Sequence, residues 1–379
     1  MVVLGWRRAA WVVPLFAATV AGGVLGPAAP LYQGDVRRPV ADTACAYAGS
    51  HISALESFGR AVGRQFSCAM VYNTATTTWA GWASPWFTHT RIADEDWRAW
   101  ATARAGRTLV ITQPLVPSKP GAGWAAAGAR GDDDTYATRL ARNLVSAGLG
   151  RSIIRLGPEA NDTTQADSLG ASPTDLESWR ADWARIARVM RAVPGAHFTF
   201  DWTVNAGTRA IPLDAYYPGD GVVDVIGIDS YDASIAHAPS ADPRARWATL
   251  YSQPSGLGEV IAFAVAHSKP LSLPEWGLVA AGPHGGAGDD PTYVDGIAAV
   301  IASVGVSYQA CFVAPSNGVV PIQTAPRSLA AYRRHFGPGG DSLQRSGGDS
   351  PPRSGPAAGD GAAELPSVRA QAPVSRPAK

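Results

Sequence analysis

Eight short apolar runs, most of them followed by a segment of helical periodicity, constrain this chain more than any other feature. The runs are Ala46–His51, Gln65–Asn73, Thr108–Val116, Ser152–Glu159, His197–Asn205, Val222–Asp232, Pro270–Gly277 and Val306–Val313. They are compact and rich in Val, Ile, Phe and Thr, as strands buried on both faces tend to be. The plainest helix between them is "SPTDLESWRADWARIARVMRAVPG". Ser172 or Thr174 caps it, and Pro194 with Gly195 ends it. Leu176, Trp179, Trp183, Ile186, Met190 and Val193 recur on one face at three- and four-residue steps. Strand and helix in alternation imply a parallel sheet. Eight repeats in a chain of 379 residues fit a single-domain α/β fold, a (β/α)8 TIM barrel, better than an open doubly wound sheet. No strand-to-helix turn carries GxGxxG or a GxxxxGKS/T phosphate loop, so the sequence gives no reason to expect a nucleotide.

The barrel is assigned to residues 40–337, and its flanks differ from it. Residues 1–30 set Arg7 and Arg8 before an apolar Ala9–Leu25 and a small-residue end, the layout of a secretory signal. An uncleaved membrane anchor is the alternative, and either places the folded part outside the cytoplasm, secreted or at the cell envelope. Residues 338–379 are dominated by Pro, Gly, Ser and Ala and read as a disordered tail. Net charge is +1 and no basic stripe interleaves with aromatics, which argues against a nucleic-acid partner. Cys45 and Cys68 are either a disulfide or two small buried hydrophobes, with Cys311 left over. No CxxC or HExxH occurs and the seven His are scattered, so neither a metal nor a cofactor is expected. Asp132, Asp133 and Asp134 open a helix that they can cap.

A barrel carries its chemistry at the C-terminal ends of its strands. The fourth run ends at Glu159, followed by Asn161 and Asp162. The fifth offers Asp201, Trp202 and Asn205, the sixth Asp229, Tyr231 and Asp232, and the seventh Glu275 and Trp276. Two Glu residues therefore stand at the fourth and seventh strands, whose ends face each other across a closed barrel. Facing carboxylates are what glycosidic bond cleavage needs, one protonated to serve the leaving oxygen and one ionised to attack. Arg155 alternates onto the face of Glu159 and biases these charges, or else forms an interior ion pair. Trp276 is either an apolar wall for a sugar ring or core. The loop "TTTWAGWASPWFTH" is either a sugar-stacking rim or a set of anchors, through Trp79, Trp82, Trp86 and Phe87.

The segments "IIRLGPEAND", "MRAVPGAHFTFDWTVN", "YYPGDGVVDVIGIDSYD" and "LSLPEWG" resemble, in that order, glycoside hydrolase family 26, best known for endo-β-1,4-mannanases. The resemblance implies a (β/α)8 barrel and a retaining double displacement, with Glu159 as acid/base and Glu275 as nucleophile. It also implies that Tyr231 hydrogen-bonds the nucleophile and that Asp229 touches the sugar or the acid/base region. Asn161, Trp202 and Arg155 are grouped with these as supporting residues. The sequence departs from the family pattern in Pro158 before Glu159, in the aromatic-free "NDTTQADS" after it, and in Phe312 where a Trp platform is common. The expected function is a retaining glycoside hydrolase acting as a monomer, without cofactor, on a β-linked polysaccharide or oligosaccharide of the β-mannan or β-glucan class. The alternative is a noncatalytic carbohydrate-binding or cell-envelope protein on the same barrel.

Overall fold

The computed structural model describes residues 44–338 except 74–75, 208–210, 236–241, 283–284 and 317. The proposed signal and all but the first residue of the tail lie outside the described residues. Eight parallel strands form the barrel: β1 Ala44–Tyr47, β2 Cys68–Tyr72, β3 Thr108–Gln113, β4 Ile153–Leu156, β5 Thr199–Asn205, β6 Val225–Tyr231, β7 Leu271–Val279 and β8 Val306–Phe312. Each pairs with its chain neighbour, and β8 returns to β1 in the register Ala44 to Gln309 through Tyr47 to Phe312, which closes the ring. A two-residue strand, β9 Val319–Val320, runs antiparallel to the far end of β7.

The sequence expectation of β1 at Ala46–His51 is corrected to an earlier span. Gly49 takes φ +104° and His51 is already the N-cap of the helix Ile52–Val62, so the chain has turned out of the sheet there. The helix Pro173–Arg191 begins with a capping box in which Ser172 and Asp175 bond each other's backbone N–H. Its buried face carries Trp179, Trp183, Ile186 and Met190. Before the helix Asp134–Ser146, Asp133 occupies the N-cap position but accepts no capping bond; it is buried facing Asp182 instead. Asp134 is held by Arg185 through bonds of 2.7 and 2.8 Å.

Alternation along the strands divides the apolar residues into two layers. Cys45, Cys68, Met70, Val110, Tyr308, Ala310 and Phe312 fill the barrel's interior, while the larger core lies between strands and helices. Cys45 and Cys68 stand opposite each other in register on β1 and β2 and form a disulfide. One break in alternation matters for the site. Between Ser272 and Trp276, β7 holds one residue more than either neighbour. This bulge, at Pro274–Glu275, lets Leu273 and Trp276 both face the helices while Ser272 and Glu275 face inward. A proline inside a central strand is tolerated at such a bulge, where the ladder is already interrupted.

Candidate active site

Glu159 does not end a strand, as the sequence suggested. β4 stops at Leu156, and the chain turns through Gly157 (φ 51°) to present Glu159 with φ 56°. A non-glycine residue in the left-handed region is strained and persists only where its surroundings fix it. Here Glu159 N donates to Thr203 O at 3.0 Å, and Asp162 N returns to Glu159 O at 2.7 Å. Its carboxylate accepts from Asn205 Nδ2 at 2.8 Å and Gln165 Nε2 at 3.2 Å. Asn161 lies buried behind it and exchanges two bonds with the Asn205 backbone, 2.8 and 2.9 Å. It orients Asn205 and does not itself reach the cavity. Glu275 sits within β7, which continues to Val279, and reaches the cavity because of the bulge.

Glu159, Asp229 and Glu275 each bring one carboxylate oxygen within 4.8 Å of the others. Arg155, fully buried on β4, stands beneath them. It pairs with Asp229 through Nη2 and with Glu275 Oε1 through Nη1 at 2.5 Å, and it is braced by Thr203 and Thr112 at 3.2 Å each. Tyr231 Oη donates to Glu275 Oε2 at 2.8 Å. Tyr72, at the end of β2, donates to Glu275 Oε1. Sequence reasoning missed Tyr72 because a tyrosine closing an apolar run looks like core; its place two alternations beyond the inward-facing Cys68 is the signal that locates it. The three acids also form the one cluster among the described residues close enough to share a cation, but the guanidinium already occupies their inner side with positive charge.

Electrostatics set Glu159 apart. Burial, then the charge of Glu275, lifts the Glu159 carboxyl to about 7 against the pull of Arg155, so Glu159 holds a proton near neutrality. Burial also raises Asp229, with Arg155, its direct partner, opposing. Glu275 accepts three donors, one of them the Arg155 guanidinium. One carboxyl can give a proton and the other can attack.

The cavity over these groups holds about 750 Å³ and is walled by Tyr47, Tyr72, Tyr231 and Phe312 on one side and by Asp162, Thr164 and Gln165 on another. No tryptophan lines it among the described residues. The expectation of Trp202 at the site is corrected, and of the two readings of Trp276 the core is the one observed: both alternate outward. Trp202 packs against Tyr216 and Tyr217, each at 5.1 Å, and Trp276 stacks on Tyr332 at 5.8 Å. The tryptophan-rich loop anchors itself as well. Trp82 Nε1 bonds Pro114 O at 2.7 Å, Trp86 Nε1 bonds Tyr72 O at 3.0 Å, and Trp79 stacks on Tyr136. Asp201 is bound by Ser272, Thr203 and Tyr308 inside the barrel, and Asp232 accepts from Val279 N and Ala287 N. Both are structural.

No protein-family model and no curated protein sequence matches the chain. Solved structures do. The YdhT protein from Bacillus subtilis superposes with a TM-score of 0.55 at 13% identity, over 78% of this chain and 86% of that one. GH26C from Muricauda sp. gives 0.55 at 13%, over 79% and 85%. The mannanase man26 from Bacillus subtilis gives 0.52 at 14%, over 78% and 86%. At these identities the likeness establishes the fold: this chain has the (β/α)8 barrel seen in glycoside hydrolase family 26 structures.

Proposed function

We propose that the protein is a retaining glycoside hydrolase acting on a β-linked polysaccharide or oligosaccharide of the β-mannan or β-glucan class, with Glu159 as acid/base and Glu275 as nucleophile. The observation that carries this reading is the approach of the two carboxylates over one cavity. One oxygen of each lies within 4.8 Å of one of the other, an approach compatible with the carboxyl separation of roughly 5–5.5 Å that suits attack by the carboxylate itself. Structural neighbours named as mannanases support the hydrolase class. Binding places the glycosidic oxygen beside Glu159 and the anomeric carbon above Glu275. The Glu275 carboxylate forms a bond to the anomeric carbon, the glycosidic bond breaks, and the Glu159 proton goes to the departing oxygen. Water then takes the vacated place and gives its proton to Glu159. Its oxygen bonds the anomeric carbon, and the ester bond's electron pair returns to Glu275.

The N-terminal sequence and the Cys45–Cys68 disulfide both support a protein working outside the cytoplasm, secreted or at the cell envelope, since disulfides persist in oxidising compartments. The catalytic reading is tested with Glu275→Ala on mannans, mixed-linkage glucans and an activated aryl β-glycoside. Turnover falls to background, and azide restores part of it on the aryl substrate as a glycosyl azide. A Glu275→Ala protein with unchanged turnover overturns the assignment.

A further inference from the structure

Glu275 is held unequally at its two oxygens. Oε1 accepts from both Arg155 Nη1 and Tyr72 Oη, whereas Oε2 accepts, among the described residues, from Tyr231 Oη alone. We propose that Tyr72 is a positioning residue that, with Arg155, fixes Oε1 as the anchored oxygen, leaves Oε2 to attack, and chiefly accelerates breakdown of the glycosyl ester. This rests on the retaining reading of the same site.

The argument follows the charge. As Oε2 bonds the anomeric carbon, Glu275 loses its negative charge and Oε1 becomes an ester carbonyl, so donors on Oε1 resist this first step. In the second step water's oxygen bonds the anomeric carbon, water's proton goes to Glu159, and the electron pair of the breaking ester bond returns to the carboxylate. Donors already aimed at Oε1 receive that charge without reorganising. Tyr72 is built for the task. Tyr47 meets its ring edge-on at 4.7 Å, Phe312 at 6.5 Å, and its backbone oxygen is tied by Trp86. Burial and the neighbouring Glu275 charge push its phenol upward, so it remains a donor across the working range. Arg155 lies sealed below, which leaves Tyr72 as the Oε1 donor that lines the cavity.

The experiment compares wild type and Tyr72→Phe by stopped flow on 2,4-dinitrophenyl β-mannobioside and β-cellobioside. The variant keeps the ring and loses the donor. It releases a burst of about one dinitrophenolate per enzyme, then turns over about 10–100-fold more slowly than wild type, the cost of one charge-assisted bond. Its kcat/KM, which reports the first step, changes less than about threefold, and KM falls with kcat. Intact mass shows a glycosyl adduct on Glu275 of the variant during turnover. Parallel losses in kcat and kcat/KM without a burst overturn the proposal. If Tyr72→Phe does not fold, Tyr72→Leu carries the same readout. The matching 2-deoxy-2-fluoro glycosides separate this failure from that of the hydrolase reading. Labelling of wild-type Glu275 with no burst in the variant overturns only the Tyr72 role, whereas no labelling of Glu275 by either glycoside overturns both.

Discussion

Glu159 illustrates how much one residue's surroundings decide. The same side chain in water would be ionised at neutral pH; burial near Glu275 lifts it to about 7. A general acid must be protonated to act, so kcat/KM is expected to fall as pH rises through about 7, in a pH–rate profile on a natural glycan. Glu159→Gln is expected to cut kcat/KM by about 10²–10⁴-fold on natural substrates, and far less on dinitrophenyl glycosides whose leaving group needs no proton. It should also abolish the alkaline fall. A Glu159→Gln protein that keeps that fall would assign the proton elsewhere. The sequence displayed Glu159 and Glu275 as two acids near the ends of the fourth and seventh apolar runs and Arg155 on the face of Glu159, while the role of Tyr231 came from the family resemblance. It misplaced Trp202 and left Trp276 open, yet each adjoins an inward-facing acid, Asp201 or Glu275, and strand alternation turns such a neighbour outward. A ring beside an acid in sequence is on the opposite face in space.

At the level of elements, the bulge in β7 and the left-handed turn after β4 were not legible. Both depend on pairing with neighbouring strands, which no local pattern records. The outer helices carry a second acid pair with consequences for stability. Asp182, fully buried on Pro173–Arg191, faces Asp133, and its carboxyl is pushed up to about 9 by burial first and Asp133 next, with Asp134 adding and Arg185 opposing. Gly128 packs so closely on this carboxyl that a Cβ there would lie 2.2 Å from Oδ1. A carboxyl raised on folding binds its proton more tightly in the native state. Stability therefore declines as pH climbs from the ordinary value of 3.8 toward 9, by up to about 1.4 kcal/mol per unit. Asp182→Asn is expected to flatten that slope and to raise Tm at pH 8 by about 3–6 °C, read by calorimetry from pH 4 to 9. An unchanged slope would show that the pair carries no such proton. The disulfide, which spans a sequence separation of 23, is expected to contribute about 3 kcal/mol, so Cys45→Ala with Cys68→Ala should shift the denaturant midpoint downward accordingly.

On the scale of the whole molecule, the repeat of apolar run and helix was enough to imply a closed barrel, because eight such units have few other ways to bury both faces of their strands. Closure then sets the fourth and seventh strands face to face, and the site follows from the fold. The cavity's walls were less visible. Its aromatic side comes from β1, β2, β6 and β8 together, with Tyr47 and Phe312 brought to 4.6 Å only by the pairing of first and last strands. What fits between these rings is therefore a property of the assembled barrel rather than of any one motif. The most direct test of the central claim is the anomeric configuration of the first product, followed by proton NMR before mutarotation during hydrolysis of a β-linked mannan or glucan oligosaccharide. Two carboxylates at this separation predict a β product, with configuration kept. An α product would mean that water attacks directly, and would contradict the assignment of Glu275 as nucleophile.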